Sequence, residues 1–119
     1  MWSVEGTDEF ASWYNALTPE QQDALAGRIE LLELHGPNLK RPTVGEIQSS
    51  RHAPQMKELR VSAEGQLRVL FAFDPRRTAI LLLGGDKTGR WAEWYRIAIP
   101  AADRLYDAYL EELRAEGLI

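Results

Sequence analysis

The chain has 119 residues, 45% apolar and 27% charged, with a net charge of −4, the size and balance of one globular domain with a single continuous core. It has no cysteine, which excludes a disulfide scaffold, a zinc–thiolate site and thiol chemistry. No stretch approaches the roughly 18 apolar residues of a membrane span, and the opening residues, with Trp2, Glu5, Asp8 and Glu9 and no basic region, do not read as a signal peptide.

Trp2 to Glu5 alternates as a short strand. Thr7 then caps a helix whose first turn holds Asp8 and Glu9, where the helix dipole favours acids. Phe10, Trp13, Tyr14 and Leu17 recur at the spacing of one helical face. Thr18-Pro19, with Gln21 at the capping-box position, starts a second helix running to about His35, where Gly36-Pro37 stops it. So short a break between two helices predicts a hairpin. Residues 37–55, punctuated by proline, glycine and serine, read as a loop pinned by Val44 and Ile47. Three strands follow, over 56–61, 67–73 and 78–83, joined by turns at Glu64-Gly65 and Asp74-Pro75-Arg76-Arg77. Connections this short make them antiparallel neighbours. Trp91, Trp94 and Tyr95 form one helical turn, and Ile99-Pro100 opens a terminal helix ended by Gly117. The order β-α-α-β-β-β-α describes an α+β domain, with helices on one antiparallel sheet.

The charge is unevenly divided. Residues 1–50 hold three basic residues against eight acidic ones, residues 51–104 hold ten against six, and residues 105–119 hold one against four. The whole-chain charge argues against broad nucleic-acid binding, but a local anion site in the basic middle stays open. The acidic ends offer patches to basic residues of a partner.

Metal and nucleotide motifs are absent. His35 and His52 have no ligand spacing, and Gly84-Gly85-Asp86-Lys87-Thr88-Gly89 matches neither a P-loop nor a dinucleotide fingerprint. A glycine-rich turn carrying Lys87 can still bring backbone N–H groups and an ammonium to a phosphate. Arg68 interrupts an apolar strand, so it either faces solvent on a sheet side free of helices or pairs with a carboxylate such as Glu58. In the first case Lys57, Arg60, Arg68 and Lys87 converge on one open phosphate-binding face. Lys57 and Arg60 are three apart and cannot both point cleanly to one face of an ideal strand, so one of them lies at the strand's start or a bulge in that case. Arg68→Ala then changes stability by less than about 0.5 kcal/mol, as exposed positions usually do. Trp91, Trp94 and Tyr95 either seal the core or stack on bases.

The run MKELRVSAEGQLRVLFAFDPRRTAILLLGGDKTGRW, followed by WY, IP, AD and LYDAYLEEL, resembles the RelE/ParE toxin superfamily. More narrowly it resembles the HigB-like toxins, also described as phage-derived Gp49-like proteins. The resemblance implies a helical hairpin and a C-terminal helix on a small curved antiparallel sheet. It implies a cytoplasmic toxin of a type II toxin–antitoxin system, neutralised by an antitoxin that is commonly a helix-turn-helix protein. Ribonuclease members act on mRNA in the ribosome. Others with this fold poison DNA gyrase, and a non-catalytic phage-derived binding protein is a third reading. On the ribonuclease reading the RNA's own 2′-hydroxyl attacks the scissile phosphate, with cations supplying charge stabilisation, so neither metal nor cofactor is expected. Arg68 and Lys87 are then the phosphate stabilisers, Lys57 positions the backbone or acts as a base, and Tyr95 is the acid–base partner. Arg60, Arg76, Arg77, Arg90 and Trp91 complete the expected RNA-binding set.

Overall fold

A computed structural model describes residues 1–119. The elements are β1 (Ser3–Gly6), α1 (Asp8–Asn15), α2 (Pro19–His35), a short 3-10 turn (Gly36–Asn38), β2 (Val44–Glu46), β3 (Met56–Ser62), β4 (Gln66–Phe73), β5 (Thr78–Asp86) and α3 (Trp91–Ala115). Both predicted caps form. The Thr7 hydroxyl accepts from Phe10 N, and Thr18 and Gln21 close a full capping box.

The five strands lie in the order β1-β5-β4-β3-β2. β2 to β5 pair antiparallel, as the short turns require, whereas β1 pairs parallel to β5. About seventy residues separate β1 from its partner, so no local turn orients it. Instead, Thr7 anchors the end of β1, its N–H donating to Leu81 O and its hydroxyl to Leu82 O. β2 is a strand within the predicted loop. It is short, but Val44 and Ile47 are buried as expected.

Side chains alternate across a strand, and both faces of this sheet are covered. On one face Leu59, Val61, Val69, Phe71 and Leu81 pack on Phe10, Leu25 and Leu32 of the hairpin. On the other, Met56, Leu70, Ala72, Ile80 and Leu82 pack on Ala98, Ala102 and Tyr106 of α3. The expected helix-free face is therefore replaced by a face that α3 covers. A register shift at Leu70/Phe71 inserts one extra residue into β5. Such a bulge bends the strand and strengthens its twist, which curves the sheet.

α3 is one continuous helix and passes through Pro100, where the sequence predicts a new start. Proline in a helix costs about 3 kcal/mol through a lost N–H and a ring clash. Pro100 and Arg96, whose carbonyl loses its partner, are both exposed, so water can satisfy it. Burial of Ala98, Ala102 and Tyr106 on either side of the proline offsets the rest. No helix of the chain is long and apolar enough to cross a membrane.

Gly84 and Gly85 mark where both layers press closest. A Cβ on Gly84 would come within 2.2 Å of the Trp13 ring, and one on Gly85 within 2.1 Å of Trp94 Nε1. We expect Gly85→Ala to lower stability by about 1–3 kcal/mol, the usual cost of overpacking. A melting temperature equal to the parent's would show that Trp94 moves aside freely.

Candidate functional site

The basic residues of β3 and β4 converge where the first turns of α3 meet the sheet. Glu58, Arg60 and Arg68 share the α3 side with Met56 and Leu70, and Arg60 lies directly opposite Arg68 in the register. Like charges placed opposite each other destabilise a strand pair. Here Glu58 stands between them. Its Oε2 accepts from Arg60 Nε at 3.0 Å, and its Oε1 lies 3.8 Å from Arg68 Nε. The Glu58 side chain is only 5% exposed and that of Arg68 only 10%, against 33% for Arg60. Arg68 also donates from Nη1 to Leu67 O at 2.8 Å. Facing Glu58 across β2 is Gly45, where a Cβ would lie 2.4 Å from Arg60 Nη2.

Tyr95 closes the cluster from α3. Its hydroxyl donates to Glu58 Oε1 at 2.5 Å. Burial, then the hydrogen bond to and charge of Glu58, push the tyrosine pKa up from 10.0 to about 12, and Arg68 opposes this weakly. A folded-state pKa raised above the unfolded value stabilises the fold below pH 10.0, and that contribution is lost as pH rises through about 12. We therefore expect the tyrosinate absorbance of Tyr95 to emerge well above that of a model tyrosine. Burial raises Tyr106 and Tyr109 as well, so Tyr95→Phe should remove one share of the late absorbance and with it part of the alkaline loss of stability.

Lys87 arrives from the loop after β5. Asp86 Oδ1 accepts from Thr88 N, Thr88 Oγ1 and Gln66 N, and Lys87 N donates to Gln66 O. The Thr88 hydroxyl foremost holds the Asp86 carboxyl below the usual carboxylate range. This closed turn puts the Lys87 ammonium 5.7 Å from the centre of the Tyr95 ring, within cation–π range.

Of the expected residues, Arg60, Arg68, Lys87 and Tyr95 are thus brought together, and Lys57 is not. Lys57 alternates with Glu58 and lies on the hairpin side, where it lines a groove with Leu39, Val44 and Phe73 and pairs with Glu46 at 3.3 Å. A shared face for Lys57, Arg68 and Lys87 is therefore overturned by the two-residue period of the strand. Arg76 and Arg77 are also elsewhere. They sit on the β4–β5 turn beyond Phe73, and Phe73 alone is about 17 Å along the strand from Arg68. Arg76 binds Asp74 and Tyr109 there, and Arg77 stacks over Trp2. Arg90 and Trp91 flank the cluster, both exposed at the start of α3. His52 lies outside it, paired with Asp107 at 2.6 Å. Arg68 is neither solvent-facing nor on a helix-free face. It takes the other option open in the sequence, the pairing with Glu58, which makes Glu58 a site residue in its own right. The signal that could have found it is an acid at i−2 from an arginine on one strand face.

By fold, this is a RelE-like α+β protein. The isolated RelE toxin of E. coli superposes with a TM-score of 0.59 at 9% identity, covering 81% of this chain and 97% of that one. The toxin–antitoxin complex RelBE gives 0.58 at 9% identity, covering 72% and 96%. The family described as phage derived protein Gp49-like (DUF891) matches residues 12–107. HigB3 of Mycobacterium tuberculosis (strain ATCC 25618 / H37Rv), named as a candidate toxin, is 48% identical over 105 residues, spanning 88% of this chain and 90% of its own. HigB2 of the same organism, also named as a candidate toxin, is 41% identical over 113 residues, covering 93% of this chain, which spans 55% of its length. The chain belongs to the Gp49-like family and to its HigB-like members.

Proposed function

We propose that this chain is the toxin of a type II toxin–antitoxin pair and that it cuts mRNA on the ribosome. The observation that carries this reading is the convergence of Arg60, Arg68 and Lys87 around the Tyr95–Glu58 hydrogen bond. RNA carries its own nucleophile, the 2′-hydroxyl beside the scissile phosphate. The Tyr95 oxygen takes that proton as its own proton passes to Glu58, which needs no new ion outside the cluster. The 2′-oxygen then bonds to phosphorus as the bond from phosphorus to the 5′-oxygen breaks, and the leaving 5′-oxygen takes a proton from solvent while Glu58 later returns its own to solvent. Arg68 and Lys87 stabilise charge on the non-bridging oxygens. A guanidinium can grip two of these oxygens at once. Exposed Trp91 offers a base-stacking surface at the entrance, and Arg90 beside it a backbone contact. The ribosome would supply the alignment of the 2′-oxygen, which is worth a large factor by itself.

The antitoxin partner, as a basic helix-turn-helix protein, finds its complement elsewhere on the molecule. Glu5, Asp8 and Glu9 from the N-terminal segment meet Glu112 of α3 around one cleft of about 420 Å³.

Mapping of transcript 5′ ends after induction tests the reading. Codon-phased cuts within translated regions are expected, whereas intact mRNA with broken DNA would replace it with gyrase poisoning. Tyr95→Phe should fold and lower cleavage by about 10²–10⁴-fold, the usual weight of one acid–base group.

A further inference from the structure

β2 is shorter than β3. Beyond Val44 its last tie is Thr43 O, which accepts from Arg60 N, so the edge of β3 is open at Ser62. α2 reaches this opening with Arg28, whose Nη1 donates to the Thr43 hydroxyl at 3.3 Å. The result is a cleft of about 250 Å³ lined by Arg28, Pro42, Thr43, Arg60, Ser62 and Arg68, with no large apolar side chain. Three guanidiniums thus share one small space, and the acid paired within the group is Glu58.

Arg68, which forms one wall, is left short of a partner. It keeps only 8% of its accessible surface, and its buried Nε, 3.8 Å from Glu58 Oε1, makes no hydrogen bond. Buried donors are almost always satisfied, and each exception calls for an explanation such as an ion. The Thr43 hydroxyl, which accepts from Arg28, keeps its own proton to donate beside the cations. Carboxylates, phosphates and sulfates can all answer such a set, but a compact cluster of arginine forks with a hydroxyl suits a tetrahedral phosphate best.

We propose that this cleft is a second phosphate subsite, in which Arg28 from the hairpin joins Arg60 and Arg68 to hold a phosphate group next to the one held beside Tyr95 and Lys87. The ribonuclease reading supplies the identity of that group as a neighbouring backbone phosphate. Binding of the oxyanion itself does not depend on that reading. Arg68 then spans the two phosphates, and Arg28 positions the strand without touching the reacting atoms.

The test follows the arginine Nε–H resonances by NMR. The probes are pyrophosphate, a nucleoside 3′-monophosphate and a short all-deoxy oligonucleotide that lacks the attacking hydroxyl, all at constant ionic strength in chloride. Pyrophosphate and the oligonucleotide should shift Arg28 and Arg68 together and saturably. Arg28→Ala should weaken the oligonucleotide by about tenfold, the worth of one charge-assisted hydrogen bond, and raise KM for cleavage with kcat unchanged. Thr43→Val, which releases the Arg28 guanidinium, should give a smaller loss, and equal melting temperatures show that both variants fold. If the oligonucleotide binds and Arg28→Ala changes neither its affinity nor the pyrophosphate shifts, the subsite is overturned and the ribonuclease reading survives. If pyrophosphate or the monophosphate shifts both arginines while the oligonucleotide does not bind and transcripts stay whole, the subsite stands for a free phosphate and the ribonuclease reading fails. No saturable shift with any probe overturns the subsite.

Discussion

Arg68→Ala should abolish toxicity and, at the same time, lower stability by about 3 kcal/mol, at the low end for breaking a buried ion pair. A loss of that size corresponds to a fall in melting temperature of about 10 °C for a domain of this length. The solvent-facing option for Arg68 implies almost no effect on stability. Burial reverses that expectation, because Arg68 sits beside Glu58 with its side chain 10% exposed. The loss stays at the low end because Glu58 keeps Arg60 and Tyr95 as partners. Arg68→Met separates the two effects. It restores most of the packed stem, so it should recover part of the stability while remaining inactive. Thermal unfolding of both variants alongside growth after induction provides the measurement. An Arg68→Ala protein as stable as the parent would contradict the buried pairing.

Glu58→Ala should cost more, about 3–5 kcal/mol, because it leaves the buried guanidinium of Arg68 and the directly opposed, partly exposed one of Arg60 without their shared counter-charge. A loss of that size approaches the whole stability of a domain at the lower end of the usual range of about 5–15 kcal/mol, so much of this variant should be unfolded or insoluble at growth temperature. Glu58→Gln keeps an acceptor for the Tyr95 hydroxyl and nearly the same shape, and should fold with a smaller deficit. It should still be inactive, since an amide does not take up the proton that Tyr95 hands on. Chemical denaturation gives the first effect and transcript cleavage by the glutamine variant the second. Full cleavage by Glu58→Gln would remove Glu58 from the proton path and leave it a purely structural counter-ion.

Local chemistry along the chain specifies the two N-terminal helices, their caps, the three consecutive strands and the α+β class. Thr7 and Thr18 satisfy the first N–H groups of their helices, and turns such as Glu64-Gly65 fold neighbouring strands onto each other. The sequence also contained the basic middle from which Arg60, Arg68, Lys87 and Tyr95 are drawn. Which of those residues meet was decided only in three dimensions. Lys57 and Glu58 are adjacent in the chain and lie on opposite faces of the sheet, so charge along the sequence could not show which of them joins the site. The continuity of α3 through Pro100, the parallel pairing of β1 and the covering of the second sheet face come from long-range burial that outweighs local preference. The same burial decided between the two options for Arg68 in favour of the pairing with Glu58. It also brought Arg28, from a helix some thirty residues earlier, to the open edge of β3.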